Sequence, residues 1–152
     1  MADPTPRAVV EAVMAAFQRR DLAAVLDLLA EDIEWHLPGP PEQIPFAGTR
    51  HGRPAVAEFS GIMADALEFL RLEPRGMGAE GDTVVVHGYS EVRARPTGRT
   101  AEYSWATIWR VHQGKVSSYR VYEDTAALVT AFATPAPPSA PREAPARKLR
   151  DG

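Results

Sequence analysis

The sequence predicts an α+β domain in which helices pack on one face of a curved, mostly antiparallel sheet. Three observations predict it. Helical spacing of apolar residues dominates as far as about Phe69, and alternation takes over beyond it. Turn signals at Gly81-Asp82, Pro96-Thr97-Gly98 and Gln113-Gly114 then cut the second half into strand-length pieces. The last two pieces, Thr107 to Val111 and Lys115 to Asp124, form a hairpin closed by Asp124-Thr125 ahead of a short apolar helix.

Thr5-Pro6 opens the first helix with a capping hydroxyl and a proline at the first helical position. Val9, Val10, Val13, Met14 and Phe17 recur at helical spacing and form its buried stripe. Arg20 ends it and Asp21 caps a second helix whose stripe is Leu22, Val25, Leu26 and Leu29. Asp32 to Leu37 reads as a strand, with Ile33, Trp35 and Leu37 on one face and Glu34 and His36 on the other. Pro38 to Gly52 is rich in proline and glycine and reads as a loop, with Phe46 its one large apolar residue. Pro54 opens a third helix with Val56, Phe59, Met63 and Leu67 on its apolar face. Strands follow at Phe69 to Met77, Thr83 to Arg95, Thr100 to His112 and Lys115 to Tyr122.

The domain is predicted over residues 1–133. Residues 134–152 are rich in proline, alanine and arginine, and hold too few large apolar groups to offset the entropy of ordering, so they are expected to form a disordered tail.

Composition narrows the function classes. At 152 residues the chain fits one domain with one core. A net charge of -3 and no basic stripe exclude an electrostatic footprint for nucleic acid. Cysteine is absent, which removes disulfides, thiolate nucleophiles and thiolate metal ligands together. No apolar run reaches the roughly 20 residues of a membrane span, and the first residues lack the pattern of a secretory signal. A soluble, cytoplasmic protein is expected. His36, His51, His87 and His112 show neither HxH nor HExxH spacing, so no metal site is expected, and no cofactor is implied. Ser90 and Ser104 lack a G-x-S-x-G context, and the glycines at 76, 78 and 81 lack the helix that a phosphate loop needs.

Several spaced segments together resemble the SnoaL-like group of the nuclear-transport-factor-2-like, or ketosteroid-isomerase-like, superfamily. They are LLAEDIEWHLPG at 28–39, PFAGTRHGRPAVAEF at 45–59, PTGR at 96–99 and GKVSSYRVYEDTAAL at 114–128. The resemblance spans about residues 7 to 133. It implies a conical α+β barrel, with the curved sheet wrapped around the N-terminal helices and enclosing an apolar pocket. It also implies a homodimer formed through the outer face of the sheet. Members of the superfamily include polyketide cyclases, steroid isomerases, epoxide hydrolases and proteins without catalysis.

The catalytic groups of those enzymes do not carry over. The isomerase base, tyrosine and protonated aspartic acid align with Leu37, Val13 and Thr107. The two aspartates and the arginine of the epoxide hydrolases align with Ser90, Val121 and Gly88, and their tyrosine and asparagine with Trp35 and Leu37. The cyclase aspartate also falls on or near Val121. Any enzyme here is therefore expected to be a cofactor-independent isomerase, cyclase or hydrolase built differently.

The same alignment, with the two-residue period of a strand, turns Trp35, Leu37, Ser90, Tyr103, Trp105, Thr107, Trp109, Tyr119, Val121 and Glu123 inward, with Phe46 across the mouth. That lining suits a small hydrophobic ligand, flat and aromatic or polycyclic, oriented by one or two hydrogen bonds. Glu123 and Tyr119 are the acid-base candidates. His36, outward by alternation, is held in reserve for a shifted register. For Glu123 a rim position, solvated or paired with an arginine, is the simpler expectation. Arg120 and Tyr122 point outward toward the expected dimer contact, and Asp124-Thr125 caps the last helix. Two functions stay open: an enzyme that moves a proton, and a binding protein that uses the same pocket without catalysis.

Overall fold

The computed structural model describes residues 2–134. The expected tail lies outside the described residues, apart from Thr134. Four helices and six strands follow in the order α1 (Pro6–Gln18), α2 (Leu22–Asp27), β1 (Leu29–Leu37), β2 (Gly48–His51), α3 (Arg53–Ala66), β3 (Leu67–Glu80), β4 (Thr83–Ala94), β5 (Thr100–His112), β6 (Lys115–Glu123) and α4 (Thr125–Phe132). The strands make one sheet in the order β2-β1-β6-β5-β4-β3. All neighbours pair antiparallel except β1 and β6, which run parallel. One face of the sheet carries the core against α1, α3 and α4.

Local chemistry sets the boundaries. The Thr5 hydroxyl accepts from the Ala8 N–H at 3.1 Å, and Pro6 takes the first helical position. Arg20 turns the chain at φ 58°, and the Asp21 carboxylate then accepts from the Ala24 N–H at 3.1 Å to start α2. Asp124 does the same for α4, accepting from the Ala127 N–H at 3.0 Å. Gln113 and Gly114 both adopt positive φ, the pair of values that a two-residue hairpin requires.

Three boundaries differ from the sequence expectation. Leu29 belongs to β1 and not to the stripe of α2; it is fully buried. Between the pairs Leu29↔Val116 and Glu34↔Ser118 the register shifts, so β1 uses five residues where β6 uses two. That bulge leaves Leu29 and Ile33 buried four apart, which imitates helical spacing. Leu67 likewise leaves the face of α3 and starts β3 directly, with no loop between the two elements. The stretch read as a loop contains β2, whose four residues pair with Glu34 to Leu37. A strand that short, flanked by proline and glycine, carries no periodicity of its own, and tertiary pairing creates it.

Candidate functional site

The inner face is built by register. Across the sheet, Trp35 pairs with Tyr119, Tyr119 with Trp109, Val121 with Thr107, and Glu123 with Trp105. On the far side Thr107 pairs with Val86, Trp105 with Gly88, and Tyr103 with Ser90. Facing rows therefore bring most of the predicted lining onto one surface. The rings of Trp35 and Tyr119 stack with centroids 4.0 Å apart and 25° between planes. Trp109 meets Tyr119 edge-on at 4.5 Å and Trp35 at 6.4 Å. From α3, Phe59 covers Trp35 at 5.7 Å. These are favourable offset and edge geometries, and the rings fill the centre of the domain themselves.

Glu123 lies on this face at the end of β6, and the arginine partner allowed for in the rim expectation is absent among the described residues. Glu123 is partly buried and makes no hydrogen bond or ion pair among the described residues. Burial disfavours the charged carboxylate and pushes its pKa up to about 7. Two phenols share its environment. Burial first, and then the charge of Glu123, push the Tyr103 and Tyr119 hydroxyls well above their ordinary value of 10. Part of the Tyr119 surface stays accessible, but protein atoms crowd it on all sides, and that crowding governs its ionisation. At neutral pH the cluster is thus one carboxyl near its midpoint beside two neutral hydroxyl donors.

The inward hydroxyls serve the indoles. Trp105 Nε1 donates to Ser90 Oγ at 2.8 Å, and Trp109 Nε1 donates to Thr107 Oγ1 at 2.8 Å, while that hydroxyl donates on to the Val86 carbonyl at 3.2 Å. Gly88 makes room for the first of these. A Cβ there would meet the Glu73 carbonyl oxygen at 2.3 Å and Trp105 Cζ2 at 2.5 Å. Sequence reasoning met Gly88 only as the position of a missing arginine; a glycine inside an alternating strand was the available signal for close approach. Gly88→Ala is expected to lower stability by about 1–3 kcal/mol, the cost of overpacking. Urea unfolding measures that loss, and the Trp105 indole resonance should shift as the ring leaves Ser90.

The remaining predicted residues fall as follows. Leu37 and Val121 are buried in the core. Phe46 does not lie across a mouth: it is 1% exposed and packs edge-on against Phe132 of α4 at 5.9 Å. His36 keeps the outward position that alternation gives it, on the face opposite Glu123, where its Nδ1 is 2.7 Å from the Thr49 hydroxyl of β2. Partial burial and nearby Arg120 lower its pKa. Pairing is regular from Glu34 to Leu37, beyond the bulge, so nothing turns His36 inward. Among the described residues no three His, Asp or Glu side chains gather as metal ligands, and no helix is long and apolar enough to cross a membrane.

Two concavities lie away from this cluster. A cleft of about 920 Å³ opens beside the β1 bulge, lined by Glu31, Asp32, Arg110 and Lys115 among others. A shallower one of about 490 Å³ on the outer face is lined by Arg75, His87, Ser104 and Tyr122 among others. Both are open to solvent, and both are lined by charged side chains. The polar groups that lack partners sit on the inner face instead.

The fold recurs in solved structures. An NTF2-like protein from Burkholderia xenovorans shares 36% identity over 84% of this chain and 95% of its own, with a TM-score of 0.78. An NTF2-like protein of unknown function from Burkholderia pseudomallei shares 30% over 85% and 98%, with a TM-score of 0.77. TerC, co-crystallised with polyporic acid, shares 29% over 84% and 97%, with a TM-score of 0.74. Among curated proteins there is no match. Residues 10–119, well over half of the chain, match the SnoaL-like domain, and with the helix-backed curved sheet described above the chain belongs to that family.

Proposed function

We propose that this chain binds a flat, hydrophobic small molecule on the inner face of its sheet and exchanges a proton with it through Glu123. The observation that carries the proposal is Glu123 itself: a carboxyl beside two phenols, without an ionic or hydrogen-bonded partner, and with a pKa of about 7. A group titrating near neutrality is suited to act both as general base and as general acid. The reaction class is a cofactor-independent isomerisation, cyclisation or hydrolysis. TerC, which was co-crystallised with polyporic acid, supports a small-molecule ligand by relationship. Because the inner rings pack on one another, ligand entry displaces at least one of them, and Tyr119, which keeps accessible surface, is the ring that moves.

The outer face supports a second part of the proposal, a homodimer. Val85 pairs with Ile108 and Ala106 with Tyr122, which makes a contiguous apolar strip on which Val85 and Tyr122 are 38% and 51% exposed. The alternative function, a binding protein without catalysis, is favoured by the resemblance, which aligns Leu37, Val13, Thr107 and Val121 with the catalytic groups of the superfamily's enzymes.

Native mass spectrometry of the purified protein tests these readings together. The expected result is an assembly of twice 16.6 kDa with a retained ligand that is chemically altered on incubation. Glu123→Gln should slow that alteration by about 10²–10⁴-fold, the usual contribution of a positioned acid or base. A ligand retained but never altered favours the carrier, and an alteration rate unchanged by Glu123→Gln removes Glu123 from the chemistry.

A further inference from the structure

The three tryptophans of the chain all lie on the inner face, and two of them have a dedicated acceptor. Ser90 takes the Trp105 N–H and Thr107 takes the Trp109 N–H, each at 2.8 Å. Trp35 has none. Its Nε1 is the one side-chain nitrogen or oxygen among the described residues that is buried without a hydrogen-bond partner, in a residue only 1% exposed. Buried donors are paired as a rule, because an N–H stripped of water and given nothing in return destabilises the fold. A sequence that supplies a hydroxyl for each of its other indoles leaves this one open, in the ring that stacks on Tyr119 and so joins the cluster around Glu123.

We infer that the Trp35 indole N–H is a hydrogen-bond donor to an acceptor oxygen of the ligand. The inference rests on the proposed ligand site and refines it. An indole N–H only donates, so its partner must be an acceptor. An acceptor able to lie among Trp35, Phe59 and Tyr119 must be carried by an otherwise apolar plane, which a conjugated carbonyl satisfies and a hydrocarbon does not.

Two probes of matched shape make the test: 2-acetonaphthone, which carries a carbonyl, and 2-isopropenylnaphthalene, in which a methylene replaces the oxygen. Binding to wild type and to Trp35→Phe is measured by calorimetry. Wild type should prefer the ketone by about tenfold, a difference of about 1.4 kcal/mol. Trp35→Phe should abolish that preference, with the loss of ring contact changing the affinity of both probes alike. A second readout needs no substitution: the Trp35 indole N–H resonance should move downfield with the ketone and not with the hydrocarbon. A ketone preference that persists in Trp35→Phe, or an indole resonance blind to the ketone, overturns the donor role while leaving the ligand site standing. The N–H would then be directed at the ring of Trp109. If neither probe binds wild type, the ligand site itself fails and the donor role falls with it.

Discussion

Replacing Glu123 with glutamine is expected to make the protein more stable at pH 8 and to change nothing at pH 4. The carboxyl has an ordinary value of 4.5 and is held at about 7 in the folded chain. Between those two values the folded state keeps a proton that the unfolded state has released, so folding stability falls as pH rises through that window. Below it both states are protonated and the group contributes no slope. Above it both are ionised, and the folded state carries the whole cost of a desolvated charge. A shift of this size corresponds to about 3 kcal/mol, at about 1.4 kcal/mol per pH unit. Glutamine has the shape of the side chain and never ionises. Urea unfolding of the two proteins from pH 4 to pH 8 should give curves that coincide at the acid end and separate by about 3 kcal/mol at the alkaline end. Parallel curves would mean that Glu123 is solvated at the rim after all.

Much of this site is visible in the sequence because strands alternate. Once Thr107 and Val121 are set inward, the period of two fixes Tyr103, Trp105, Trp109, Tyr119 and Glu123 with no further information, and β5 occupies the expected thirteen residues from Thr100 to His112. Capping is equally local, which is why Thr5, Asp21 and Asp124 act as their residue types require. What the sequence hides is non-local. The β1 bulge comes from pairing with β6, more than eighty residues away, and it puts Leu29 in a strand although its spacing from Leu22, Val25 and Leu26 reads as helical. The environment of Glu123 is hidden for the same reason. Whether a carboxylate at the end of a strand meets water, an arginine or a phenol depends on what the neighbouring strands present, and periodicity is silent about that. Gly88 and Trp35 form a further pair of this kind. One matters for the side chain it lacks and the other for a partner it lacks, and neither is legible without knowing which indole lies over which strand.

Phe59→Ala is expected to have the larger effect on stability. Phe59 is 1% exposed, lies on α3, and covers Trp35 on one side, with the Arg50 guanidinium 5.1 Å from its ring centroid on the other. Arg50 also donates to the Phe46 carbonyl at 2.8 Å, so β2 and the segment before it are tied to α3 through the same ring. Truncating a buried phenylalanine to alanine costs about 3–5 kcal/mol, made of lost transfer energy and an unfilled cavity. In a domain of this size that is a fall in melting temperature on the order of 10–20 °C. The space left is walled by Trp35 on one side and bordered by the Arg50 guanidinium, an arrangement that suits a small aromatic molecule in place of the lost ring. Benzene should then raise the melting temperature of Phe59→Ala by more than that of wild type, since a ligand that binds only the folded state stabilises it by mass action. A loss of less than about 1 kcal/mol with no benzene rescue would mean that α3 settles into the gap. Helix and sheet would then not hold a fixed separation, and the inner face could not present Trp35 and Glu123 to a ligand in a constant geometry.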